Sequence, residues 1–116
     1  FTERREELVN LLFEMGVKSD VAKVLVFFAE TPTVTSRAIE EYTDLRQPKV
    51  AMVVQYLKRR GWIKNQEQKA RSTGRPATIY ELVKPITEII NEITKDKIKK
   101  TNDQLQLIQR LRNYLS

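Results

Sequence analysis

The chain has 116 residues, enough for one domain with a single hydrophobic core, and it contains neither Cys nor His. Without Cys there is no disulfide framework or thiolate nucleophile, and without His the usual general base and metal ligand are missing, so we expect no enzyme, no metal site and no cofactor. Lys and Arg outnumber Asp and Glu by 21 to 15, a net charge of +6 that is typical of proteins with a polyanionic partner.

Two amphipathic helices are predicted at the start of the chain. Apolar residues recur at helical spacing from about residue 2 to 15, and Gly16 follows where a left-handed C-cap would sit. Ser19 has the residue type of an N-cap for a second helix over residues 20–29. That helix is expected to be mostly buried, because it carries a wide apolar face made of Val21, Val24, Leu25 and Phe28.

A pair of closely spaced helices is predicted next. Val34 is expected to be briefly extended, and Thr35 to cap a short helix that ends near Thr43. Pro48 suits the first helical position of the following helix, which Gly61 ends. Three residues of this second helix are predicted to face the core, namely Val50, Val54 and Leu57.

Residues 62–68 and 77–82 favour strands, and the basic, Gly-containing segment between them predicts a hairpin. The positive charge is concentrated in this part of the chain. Between residues 46 and 75 the sequence has one acid, Glu67, against nine cations: Arg46, Lys49, Lys58, Arg59, Arg60, Lys64, Lys69, Arg71 and Arg75.

Pro85 opens a final helix of about 31 residues, roughly 46 Å long, which is more than a domain of this size requires. One apolar line along it is interrupted by polar residues near its middle. A second line, Ile98, Leu105, Ile108 and Leu115, takes over there. We therefore expect the helix either to kink near residues 96–101 or to change its packing partner. No apolar run approaches the roughly 20 residues needed to cross a bilayer, and the N-terminus has no signal-peptide pattern.

The predicted class is mainly α with a small β-hairpin (α+β), in the element order of a winged helix-turn-helix. The run GVKSDVAKVLVFFAETPTVTSRAIEEYTDLRQPKVAMVVQYLKRRGWI resembles the DNA-binding domain of the TrmB and MarR/ArsR groups of prokaryotic, including archaeal, regulators. The resemblance covers about Leu8 to Leu82 and includes the matching positions Leu57, Lys58-Arg59-Arg60, Gly61, Trp62-Ile63 and Gly74-Arg75-Pro76. It implies a winged-helix DNA-binding domain over residues 1–83 and a C-terminal dimerisation helix over 84–116. The large sugar-binding domain of TrmB itself does not follow, so a sugar effector is not implied.

This resemblance makes residues 47–60 a recognition helix for the major groove. Its candidate DNA contacts are Arg46, Gln47, Lys49, Met52, Gln55, Tyr56 and Arg59. Gln can pair with adenine, Lys with guanine, and Met can touch a thymine methyl. The alternative is an ordinary solvated face. Lys58, Arg59 and Arg60 are also open to two interpretations, since cations in a last turn complement the helix dipole or contact phosphates.

Two other segments supply candidate DNA contacts. In the loop at residues 69–76 they are Lys69, Arg71, Ser72, Thr73 and Arg75, with Arg75 expected in a narrow minor groove and the two other cations on phosphates. Thr35, Ser36 and Arg37 begin the preceding helix, where backbone N–H groups can receive a phosphate, although capping by Thr35 is an equally compatible role.

The long terminal helices predict a homodimer that holds two recognition helices about one DNA turn apart, roughly 34 Å. The candidate interface residues are Leu8, Leu12, Ile86, Ile90, Ile93, Leu107, Leu111 and Tyr114. In the alternative, the last helix folds back on the first helix of its own chain. Lys97, Lys100 and Gln104 within the seam would fix its register.

These observations predict a cytoplasmic, sequence-specific regulator of transcription that binds double-stranded DNA as a homodimer and has no membrane partner. Two alternatives stay open: a winged-helix module for protein–protein assembly in transcription or replication machinery, and an architectural protein that coats DNA without reading it. The sequence identifies no small-molecule effector. If one exists, it is expected in a cleft between the terminal helices and the DNA-binding core.

Overall fold

A computed structural model describes residues 3–66 and 78–116, which form five α-helices and a three-stranded antiparallel sheet. The helices are α1 (Glu3–Glu14), α2 (Ser19–Glu30), α3 (Ser36–Thr43), α4 (Gln47–Arg59) and α5 (Ile86–Leu115), and the strands are β1 (Thr33–Thr35), β2 (Ile63–Asn65) and β3 (Ile79–Leu82). The predicted mainly helical α+β class and the predicted element order are confirmed.

The ends of the helices follow local chemistry with one exception. Thr35 caps α3 as predicted, since its Oγ1 accepts a hydrogen bond from the Ala38 N–H at 3.0 Å. Asp44 ends α3 in the left-handed region, at φ 58°, and Pro48 lies in the first turn of α4. The predicted cap Ser19 is wrong: the helix already includes Ser19, and Lys18 occupies the N-cap position without a side-chain capping bond.

The sheet contains one more strand than the predicted hairpin. β3 lies in the centre and pairs with β2 on one side and β1 on the other, so that Val34 lies opposite Tyr80 and Lys64 lies opposite Glu81. The short extended segment at Val34 is therefore an edge strand. Its pairing ties the N-terminus of α3 to the base of the hairpin.

One hydrophobic core joins the sheet to all five helices. Its largest fully buried side chains are Trp62, Phe28, Leu25, Ile39, Leu57 and Ile89. The predicted core faces of α2 and α4 are confirmed, and Val53 joins the face of α4. Leu12 of α1 and Ile93 of α5 also belong to this core. Their burial removes both from the predicted dimer interface, because a side chain packed inside one chain offers no surface to a second copy.

α5 is a continuous helix of 30 residues, so the predicted kink near residues 96–101 is not found. Its first part packs on the core through Ile89 and Ile93, whereas every residue from Lys95 to Ser116 is exposed. This exposed part does not fold back on α1, and it accounts for the elongated dimensions of 74 × 29 × 25 Å. Among the described helices, none has a stretch sufficiently long and apolar to cross a membrane.

Candidate nucleic-acid interface

The exposed face of α4 is defined by the side that it buries. Val50, Val53, Val54 and Leu57 recur at helical spacing and lie in the core. Because a residue five positions along a helix lies on nearly the opposite side, Met52, Gln55 and Arg59 project away from the core. All three are exposed, Met52 by 67%. They share this face with Arg46 and Gln47, both exposed at the N-terminal end of the helix.

Two other predicted contacts lie on the flank of α4 that is turned toward α5. The Lys49 Nζ is 3.4 Å from the Asp20 Oδ2 in α2. Tyr56 is half-buried and packs edge-on against Trp62, with 6.3 Å between the ring centroids. The fully outward surface of α4 is therefore narrower than the predicted set, since Lys49 and Tyr56 also hold the helix in place.

The three cations that end α4 have different surroundings. The Arg60 Nη2 is 2.9 Å from the Asp96 Oδ2, and its guanidinium lies 4.5 Å from the centre of the Trp62 ring. The hydrogen bond to Asp96 raises the pKa of Arg60. The Lys58 Nζ lies 5.2 Å from the centre of the Tyr80 ring. Arg60 and Lys58 thus attach α4 to α5 and to the sheet, whereas Arg59 points outward.

The N-terminus of α3 is partly occupied by contacts within the chain. The N–H of Ser36 donates to the Thr78 carbonyl at 3.1 Å, and that of Ala38 donates to Thr35. Arg37 is exposed and its Nε is 3.3 Å from the Glu41 Oε1. Two of the N–H groups predicted for a phosphate are therefore already bonded, and a contact by Arg37 stays a prediction.

β2 and β3 carry the base of the hairpin. The Lys64 Nζ is 3.5 Å from the Glu81 Oε1 across the two strands, and the Gln66 N–H donates to the Ile79 carbonyl at 2.8 Å. The loop candidates Lys69, Arg71, Ser72, Thr73 and Arg75 lie outside the described residues. Their predicted roles stay predictions.

A polar and aromatic cluster fixes the helices that precede α4. The rings of Phe27 and Tyr42 stack with centroids 4.0 Å apart, and the Tyr42 hydroxyl donates to Glu30 at 2.9 Å. The Arg5 Nε is 2.7 Å from Glu30, which lowers the pKa of that carboxyl. Burial and the bond to Glu30 raise the pKa of Tyr42 to about 12. These contacts join α1, α2 and α3, and no short sequence pattern indicates them.

A cavity of about 700 Å³ separates α4 from α5 and reaches the turn between α1 and α2. Met15, Val17, Tyr56 and Trp62 contribute apolar walls. Three lysines of α5 supply much of its positive charge, namely Lys97, Lys99 and Lys100. The cavity lies where the sequence predicted a cleft, and binding of a small-molecule effector in it stays a prediction.

The remaining dimer candidates are accessible. Leu8 and Ile90 are exposed and Ile86 is half-buried. Leu107, Leu111 and Tyr114 lie on the exposed part of α5. These six residues still form a candidate interface after Leu12 and Ile93 are assigned to the core.

Comparison with solved structures identifies the fold. The structure described as TrmBL2, an archaeal chromatin protein with a novel mode of DNA binding, superposes with a TM-score of 0.67 at 17% identity, over 96% of this chain and 41% of that one. A possible transcriptional regulator from Methanosarcina mazei Go1 gives 0.61 at 17% identity, covering 93% and 86% of the two chains. A MarR family regulator from Neisseria meningitidis gives 0.55 at 17% identity, covering 93% and 84%.

At these identities the similarity establishes a winged-helix fold that the chain shares with solved DNA-binding regulators. The chain spans less than half of the length of TrmBL2 but most of the two others. No protein-family profile matches the sequence, and no curated protein matches it.

Proposed function

We propose that this protein is a regulator of transcription that binds specific sites on double-stranded DNA as a homodimer in a prokaryotic cytoplasm. The observation that carries the proposal is the outward face of α4. It is the second helix of a tight pair, its far side is locked in the core, and it presents Gln55, Met52 and Arg59 to the outside. An α-helix with such a face fits the major groove, where Gln and Arg can read base edges.

The distribution of charge supports the same placement. Nine of the cations lie between residues 46 and 75, and this segment also contains the loop that we propose for the minor groove. Arg75 is our candidate for insertion there, since a narrow minor groove concentrates negative potential. The regulators with the same fold support DNA as the partner.

A second candidate function is architectural binding without sequence preference. It is favoured by two observations: Met52 and Ala51 leave α4 with few polar side chains for reading bases, and TrmBL2 is described as a chromatin protein. A module for protein–protein assembly is the third candidate. The concentration of cations argues against it, because such a module has no need of a strongly basic surface.

Selection of bound fragments from random DNA, followed by affinity measurements against salt and random competitor, separates these candidates. A regulator enriches a sequence motif and binds it much more tightly than competitor. Equal affinity for all sequences supports the architectural function. Absence of binding at low salt overturns both and leaves the assembly module.

Arg59→Ala tests the placement of α4, with Arg110→Ala as its matched control because Arg110 is exposed on the far part of α5. We expect Arg59→Ala to weaken binding about tenfold or more, the usual effect of losing one Arg contact, and Arg110→Ala to leave it nearly unchanged. Equal effects of both would contradict a specific role for α4. Arg75→Ala is expected to have an effect similar to that of Arg59→Ala if the loop enters the minor groove.

A further inference from the structure

The exposed part of α5 carries a second apolar line that the core does not use. Ile98, Leu105, Ile108 and Leu115 lie on it, with exposures from 46% to 87%. Together with Thr101 and Arg112 they follow alternating spacings of three and four residues, which is the pattern of a coiled-coil seam. A helix that is exposed on all sides over residues 95–116 and has this pattern is suited to pair with another helix.

We propose that two copies of the chain pair their α5 helices antiparallel, about a two-fold axis that passes between Leu105 and Ile108. This deepens the homodimer of the proposed function and rests on it. In this register Ile98 of one copy lies opposite Leu115 of the other, and Leu105 lies opposite Ile108.

The polar residues of the seam select the antiparallel direction. In a parallel pair the same position of each copy meets itself, so Arg112 would lie against Arg112 in the seam and the like charges would repel. In the antiparallel register Arg112 lies opposite Thr101, whose hydroxyl can accept a hydrogen bond from the guanidinium. Every apolar residue of the seam then has an apolar partner.

The distance between the two DNA-reading helices agrees with this register. The end of α4 is attached to α5 at Asp96 by Arg60. Asp96 lies about 16 Å along α5 from the proposed axis, so the two attachment points are about 32 Å apart along the pair. One turn of DNA is roughly 34 Å. A parallel pair would instead place both α4 helices at the same level along α5.

The register also accounts for the other apolar line. Leu107, Leu111 and Tyr114 continue the side of α5 that carries buried Ile89 and Ile93, roughly a third of a turn from the seam. Because the two-fold axis is perpendicular to both helices, this side points the same way in both copies. Residues 107–114 of one copy then lie beside residues 99–106 of the other, next to its cavity. The cavity between α4 and α5 is thereby covered by the second copy.

Disulfide cross-linking tests the direction cleanly, because the chain has no Cys of its own. T101C and R112C chains are prepared separately and oxidised alone or after mixing. We expect a cross-linked dimer only in the mixture, since like positions are about 16 Å apart in the antiparallel register, beyond the roughly 7 Å that a disulfide can span. Cross-linking of T101C with itself would overturn the proposal, and so would an oxidised mixture without any cross-linked dimer.

Leu105→Glu tests the seam in the full chain, with Gln106→Glu as its matched control, because the adjacent residue lies on another side of the same exposed helix. We expect Leu105→Glu to raise the dimer dissociation constant at least about 100-fold and Gln106→Glu to leave it within a few fold. Sedimentation measures both. A monomeric wild-type chain, or a Leu105→Glu chain that dimerises like the wild type, would overturn the pairing.

DNA binding by the wild-type chain is measured separately, so that the two proposals can fail independently. A dimer with the expected cross-link that does not bind DNA overturns the regulator and leaves the pairing supported. A chain that binds DNA but cross-links T101C to itself has the opposite meaning.

Discussion

Trp62 is where α4, the sheet and α5 meet. Its indole is 1% exposed, so it serves packing and is unavailable for stacking on a base. The indole N–H donates to the Glu92 carboxylate of α5, which also accepts from the Lys84 Nζ at 2.9 Å. Both bonds favour the charged carboxylate and lower the pKa of Glu92. One carboxylate thus links the orientation of Trp62 to that of α5.

Glu92→Gln is predicted to lower the free energy of unfolding at neutral pH by about 1 kcal/mol, allowing for partial exposure of the carboxylate. Because the pKa of the folded state lies below its usual value near 4.5, this stabilisation is present above that pH and is lost as the pH falls through the folded-state pKa. Urea unfolding at about pH 7 and about pH 3.5 should therefore show a difference from wild type that shrinks in acid.

Glu7→Gln is the control for this experiment, since Glu7 is an exposed carboxylate on α1. It should leave stability nearly unchanged at both pH values. A Glu92→Gln variant whose deficit stays constant with pH would contradict the role of the carboxylate charge.

At the scale of single elements, Thr35 joins β1 to α3. Its hydroxyl caps α3 while its backbone continues a strand that pairs with β3. Thr35→Ala should cost about 1 kcal/mol of unfolding free energy through loss of the cap, and Thr35→Ser should recover most of it. Thermal unfolding of the three proteins measures the effect. Equal stability of Thr35→Ala and wild type would show that the cap contributes little.

The elements that the sequence predicts are those determined by neighbouring residues. The Thr35 cap, the start of α4 near Pro48 and the apolar face of α2 all follow from patterns within one or two helical turns, and all are confirmed. The third strand and the role of Arg60 depend on partners 36 or more residues away. Such contacts leave no periodic signal in a single sequence, which explains why Arg60 was open to two interpretations.

The same reason limits the prediction of the candidate site. Periodicity correctly separates the buried side of α4 from Met52, Gln55 and Arg59. It cannot show that Lys49 bonds to Asp20 or that Ile93 is enclosed by other elements, because both depend on how α5 and α2 pack against α4. Long apolar helices therefore suggest an interface without distinguishing core residues from surface residues.

For the whole molecule, α5 has two parts with different functions. Up to Ile93 it completes the core of its own chain, and from Lys95 onward it is exposed. A truncation that tests dimerisation must therefore keep the first part. Ending the chain after Pro85 would remove Ile89 and Ile93 from the core and should cost on the order of 4 kcal/mol, a large fraction of the stability of a small domain.

A chain that ends at Asp96 retains both buried isoleucines, Glu92 and the carboxylate that binds Arg60. We expect it to unfold cooperatively, to sediment as a monomer at concentrations where the full chain is a dimer, and to bind a palindromic site much more weakly, because each half-site must be bound separately. Its affinity for a single half-site should stay near that of one subunit. A dimeric shortened chain would show that residues 97–116 are not the principal dimer contact and would shift attention to exposed Leu8 on α1.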